Sequence, residues 1–145
     1  MIQAELNQQR LRGGQRLPRV VLNRVLRVVS KELGVRGSVF VSIAFVDKKT
    51  MKSLNKTYRG KDTVTDVLSF TLNSPQMLGE LILSYDQAKL QAGEQKHSVR
   101  DELSFLIVHG LLHLHGYDHE KPADAHLMFP LQERILRKLH INPAL

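Results

Sequence analysis

The chain of 145 residues contains no cysteine and no tryptophan, and only five phenylalanines and three tyrosines. Without cysteine, disulfides, thiolate metal sites and thiol nucleophiles are excluded, and a reducing compartment is permitted. No apolar run is long enough to span a bilayer. The opening MIQAELNQQR has no apolar stretch of the signal-peptide kind, so a cytoplasmic location with no membrane partner is expected. Neither a low-complexity linker nor an internal repeat divides the sequence, and residues 1–145 read as one domain with room for a real core. Acidic residues are also scarce, with 14 against 21 lysines and arginines. The resulting charge of +7 favours a polyanionic partner, most often nucleic acid.

Histidine, by contrast, is concentrated. Four of the seven fall in HGLLHLHGYDH, residues 109–119. His109 and His113, four apart on a helix, differ by about 40° around its axis and can send imidazole nitrogens to one point. A continuous helix would carry His119 about 240° further round. Gly116 stands where the chain must turn back, and glycine just past a helix end accepts the left-handed conformation that closes the last turn. A helix ending near His115, a break at Gly116 and a return to His119 therefore bring three imidazoles together. Three neutral imidazoles make a catalytic-type zinc site, one Zn²⁺ per chain, with a fourth position open. The metzincin pattern H-E-x-x-H-x-x-G-x-x-H has the same spacing. Its general base, the Glu after the first His, is replaced here by Gly110. His115 lies off the ligand face and reads as a surface residue. His97, His126 and His140 have no partner at ligand spacing.

The remaining pattern is that of an α+β domain. MIQAELNQQ reads as a first strand and RLRGGQRLP as a basic turn region. A helix is predicted from Pro18 to Leu33, with Val21, Leu22, Val25, Leu26, Val29 and Leu33 on its apolar face and Gly34 at its end. SVFVSIAFV is a buried strand. Asp47 caps a second helix whose Lys48, Lys52, Lys56 and Arg59 share one basic stripe, either a solvated face, the commoner case, or a candidate RNA-binding surface. VLSFTL and GELILSY form an antiparallel pair joined through NSPQM. DQAKLQAGEQ is a short helix. The histidine helix starts near Ser98, with Leu103, Ile107, Gly110, Leu111 and Leu114 towards the core and Glu102 on the histidine face two turns upstream. A last helix, Ala123 to Leu139, is expected to be interrupted or bent near Pro130. The sum is one mixed sheet of about four strands packed with helices.

HGLLHLHGYDH also closely resembles the signature H-G-x-L-H-L-x-G-Y-D-H of the YbeY family of metal-dependent endoribonucleases, the ribosomal RNA maturation factors. LNKTYRGKDTVTDVLSF resembles the family's N-x-x-Y-R followed by T-D-V-L-S-F. LGELILS resembles a third block, where Gly-Asp is more usual than Gly79-Glu80, and LMFPLQERIL resembles its last helix. The resemblance spans nearly the whole chain. It implies an α+β fold, His109, His113 and His119 as metal ligands, and a functionally important arginine at Arg59. It also implies cleavage of single-stranded RNA in 16S rRNA processing and ribosome quality control, with the ribosome or its small-subunit components as partners. Thr65 and Asp66 are placed near the site by the same analogy. Thr71 stands where the family usually has proline, the stretch between Phe70 and Gly79 is short, and Pro130 falls inside the last helix.

A histidine-held Zn²⁺ acidifies its water and polarises a phosphoryl oxygen. An arginine clamps the charge that develops on phosphate oxygens, and Arg59 is the candidate. Asp118, beside His119, either orients a ligand or water as part of the catalytic apparatus or caps a turn. Two rivals stand beside the nuclease: a metzincin-like protease or other metallohydrolase, and a ribosome-associated protein with structural zinc. Peptide cleavage lacks its Glu. A structural site lacks a convincing fourth ligand.

Overall fold

A computed structural model describes residues 1–72 and 74–142. Among these the elements are β1 (Ile2–Asn7), α1 (Arg19–Leu33), β2 (Val39–Val46), α2 (Lys48–Arg59), β3 (Val67–Thr71), β4 (Met77–Ser84), α3 (Tyr85–Gln95), α4 (Val99–Leu114) and α5 (Pro122–Lys138). A short 3-10 turn, Gly13–Gln15, lies in the basic turn region. The sheet has four strands in the order β1-β2-β4-β3. β1 and β4 run parallel to β2, and β3 runs antiparallel to β4 at the edge. The mixed α+β sheet and its one hairpin are as the sequence suggests. In the NSPQM connection, Asn73 lies outside the described residues, as do 143–145.

Local chemistry accounts for the boundaries. α1 begins one residue later than expected, with Pro18 at its N-cap, and ends at Gly34 in the left-handed conformation. Asp47 accepts the Thr50 amide and caps α2; Ser84 and Ser98 cap α3 and α4 in the same way. The last helix departs from expectation. α5 starts at Pro122 and is uninterrupted through Pro130. Met128, Leu131, Ile135 and Leu136 are buried on both sides of that proline, so tertiary packing holds the helix across the missing N–H.

Strand alternation divides the sheet into two faces. Val41, Ile43, Leu81 and Leu83 enter the main core with Leu22, Val25, Leu26 and Val29 of α1 and Leu103, Ile107 and Leu111 of α4. α4 approaches this face so closely that a Cβ on Gly110 would lie 2.7 Å from a Leu81 methyl. Gly110 is buried, directed at the sheet. The position held by glutamate in the metzincin pattern is thus a packing contact here, and a side chain there would point into the core. α2 lies on the other face, where its last residue, Arg59, sits over the Phe70 ring at the β3 edge.

Candidate metal centre and its cleft

His109 and His113 occupy successive turns at the C-terminal end of α4. The helix closes at His115, and Gly116 takes φ 94°, a conformation that favours glycine. The Gly116 amide donates to the His113 carbonyl and the Tyr117 amide to the Leu112 carbonyl, each at 3.0 Å. Asp118 Oδ1 accepts the His119 amide at 2.7 Å. This turn brings His119 back beside the helix. One ring nitrogen from each of His109, His113 and His119 lies within 4.8 Å of the others, a group that could hold a metal ion. His115 and Asp118 are not in that group.

The hydrogen bonds around the rings fix what their nitrogens offer. His109 Nδ1 is 2.7 Å from Gln132 Oε1, and His113 Nδ1 is 2.9 Å from the Tyr117 carbonyl. Carbonyl oxygens only accept, so both Nδ1 atoms carry the proton and both Nε2 atoms present lone pairs in the neutral rings. These two Nε2 atoms face each other at 3.0 Å. Burial holds the pKa of both His109 and His113 below the ordinary 6.5, against the opposing pull of those same hydrogen bonds. At neutral pH two lone pairs therefore converge without a proton between them, an arrangement that a cation relieves. The donor set fits a metal ion in its chemistry, its tautomers and its oriented outer partners.

The histidines form one wall of an open cleft of about 1100 Å³. Arg59, Lys61, Thr65, Asp66 and the β3 residues Ser69 and Thr71 line the same cleft. Thr65 and Asp66 are thus beside the site. Asp66 is largely engaged in local structure, accepting from the Val67 amide and the Gln91 side chain. The Arg59 guanidinium lies 5.1 Å from the Phe70 ring centroid and donates to the Ser69 carbonyl at 2.6 Å. Lys48, Lys52 and Lys56 are exposed on α2 but do not line the cleft, and Lys52 is 4.0 Å from Asp62. Asp118 lines the cleft while holding the His119 turn; the backbone amide of His119 lowers its pKa.

Other histidine expectations resolve simply. Glu102 is buried, and its carboxylate meets His97 Nε2 at 3.1 Å, away from the three-histidine group. His115, expected at the surface, is half-buried and donates from Nδ1 to the Leu111 carbonyl. His126 and His140 are exposed. Sequence reasoning did not single out Gln132, only 7% exposed, or Phe129, which stacks on His119 at 5.6 Å. Gln132 had a signal: it is the one polar member of the buried series Met128, Leu131, Gln132, Ile135, Leu136.

Fold and site together define a single-sheet α+β protein with three histidines able to hold a metal ion in an open cleft. The family model described as Endoribonuclease YbeY matches residues 4–140. The chain belongs to the YbeY family. It is 42% identical over 135 residues to an Endoribonuclease YbeY of Oceanobacillus iheyensis, covering 84% of this chain and 88% of that one. It is 46% identical over 128 residues to the protein of the same name from Moorella thermoacetica, covering 79% and 82%. A Thermotoga maritima protein solved in solution matches with a TM-score of 0.67 at 31% identity, over 96% of this chain and 89% of that one.

Proposed function

We propose that this protein is a zinc-dependent endoribonuclease that cleaves single-stranded RNA, acting in 16S rRNA maturation and ribosome quality control in the cytoplasm. Family membership and the name its relatives carry support RNA cleavage. The observation that carries the reading is the convergence of His109, His113 and His119 in a cleft that Arg59 and Lys61 also line. Among the described residues the histidine group has three members, which suits one Zn²⁺ per chain with a position left open for chemistry.

Zinc held there supplies Lewis acidity and lowers the pKa of a bound water towards neutrality. The chain's own residues do the rest. Gln132 and the Tyr117 carbonyl hold His109 and His113 in the tautomer that presents Nε2. Asp118 positions His119 through its amide, and in this reading its carboxylate orients groups entering the cleft. Arg59, held over Phe70, offers paired donors to phosphate oxygens as charge builds on them. Lys48, Lys52 and Lys56 extend a basic surface from Arg59 for the flanking strand. The exposed Phe129 ring provides a face on which a base can stack. No helix among the described residues is long and apolar enough to cross a membrane. The ribosome or its small subunit is the proposed partner.

The test is cleavage by zinc-reconstituted protein of unstructured RNA, the matching duplex and casein. Cleavage of the unstructured RNA alone is expected. Loss of casein instead would favour the protease, against which the core-directed Gly110 already counts.

A further inference from the structure

The hydrogen-bond phase of the β3–β4 ladder determines what the outer edge of β3 offers. The Leu72 amide donates to the Leu78 carbonyl, and the Ser84 amide to the Asp66 carbonyl. With the register Leu68↔Ile82, Ser69↔Leu81, Phe70↔Glu80, the inward-bonded residues of this strand are 66, 68, 70 and 72. Val67, Ser69 and Thr71 therefore point their N–H and C=O groups outwards, along the edge that lines the cleft. An uncovered edge of this kind ordinarily pairs with another peptide strand, which needs donors and acceptors in alternation. Here that alternation is spoiled. Arg59 occupies the Ser69 carbonyl, and the Asp66 carboxylate occupies the Val67 amide. The amides of Ser69 and Thr71 remain as outward donors, two residues or about 7 Å apart, flanking the Arg59 guanidinium in the cleft that Lys61 also lines.

We infer that the outer edge of β3 is the strip along which the sugar–phosphate backbone of RNA lies, its phosphate oxygens accepting from the Ser69 and Thr71 amides, and that Arg59, by capping the Ser69 carbonyl, makes this edge select phosphate over a peptide strand. The inference rests on the RNA-cleaving function proposed above and assigns the position of the substrate within the cleft. Backbone amides read no base, so the strip contributes affinity and register without sequence preference.

The probe is a short single-stranded 2′-O-methyl oligoribonucleotide, bound to the zinc-loaded full chain. Thr71→Pro, which deletes the amide, should bind about tenfold more weakly than Thr71→Ala, which keeps it, as for loss of one charge-assisted hydrogen bond. On the wild-type protein, saturation should shift the amide resonances of Ser69 and Thr71 more than those of Leu68 and Phe70, which stay in the ladder. Equal affinity of the two variants, or unmoved Ser69 and Thr71 resonances at saturation, would overturn the inference. Displacement of the oligonucleotide by an unstructured peptide that shifts the same amides would show a peptide-pairing edge and overturn it too. RNA cleavage by the wild type, measured separately, tells failure of the strip from failure of the proposed function.

Discussion

Gln132 Oε1 lies 2.7 Å from His109 Nδ1, joining α5 to the histidine helix across 23 residues of sequence. The contact selects the His109 tautomer and aims Nε2 at the other two rings. Gln132→Ala should leave the fold intact and weaken zinc binding by about 10- to 100-fold, as for other outer partners of metal-bound histidines. Gln132→Glu keeps an acceptor and should bind zinc more tightly than the alanine variant. Competition with a chromogenic chelator measures both. Unaltered zinc affinity in Gln132→Ala would reduce the contact to core packing.

Arg59 is tied to β3 rather than to the histidines, so its loss should spare the metal. Arg59→Ala should retain stoichiometric zinc while single-turnover cleavage at saturating protein falls by about 10²–10³, as for loss of one preorganised donor. Arg59→Lys should rescue poorly, because a point charge neither forks nor stacks over Phe70 as the guanidinium does. Near wild-type cleavage by Arg59→Ala would make Arg59 part of the binding surface only.

Lys48, Lys52 and Lys56 lie outside the cleft, and their contribution should be electrostatic. Replacing all three with glutamine should weaken RNA binding without regard to sequence and flatten its dependence on salt. An unchanged salt slope, from binding titrations at several ionic strengths, would mean that these lysines are merely solvated.

Burial sets a sign for the response to pH. His109 and His113 are held below the ordinary 6.5, so near neutrality both folded and unfolded chains carry them uncharged. As pH falls below about 6.5, the unfolded chain takes up protons that the folded, metal-free chain resists, and stability drops. Denaturant midpoints of metal-free protein should fall between about pH 7.5 and about pH 5.5. The fall should be smaller in His109→Asn/His113→Asn. An equal fall in that variant would place the responsible groups elsewhere.

Much of this site was legible in the sequence, and the reasons are local. The i, i+4 pair His109 and His113 and the chain reversal at Gly116 are matters of helix geometry and backbone freedom, which need no distant partner. The same holds for Asp47 as a cap and for the apolar run of β2. The unforeseen features depend on tertiary packing. Pro130 reads as a break because its own turn loses a hydrogen bond, yet the buried residues on either side keep α5 whole. Glu102 shares a helix with the metal group, but the chain after α3 brings His97 to it. Gly110 reads as a lost catalytic base; its closeness to Leu81 makes it a contact between helix and sheet. Arg59 lies within a stripe of lysines in sequence, and only the β3 edge sets it apart from them.

The most direct measurement is titration of metal-free protein with Zn²⁺, following bound metal and cleavage of unstructured RNA on the same samples, with His113→Ala and His109→Ala/His113→Ala prepared in parallel. Cleavage should rise with zinc and saturate at about one ion per chain. Both variants should bind zinc weakly and cleave little. Undiminished zinc binding by the double variant would contradict the site, and full cleavage without metal, or in His113→Ala, would contradict the chemistry assigned to it.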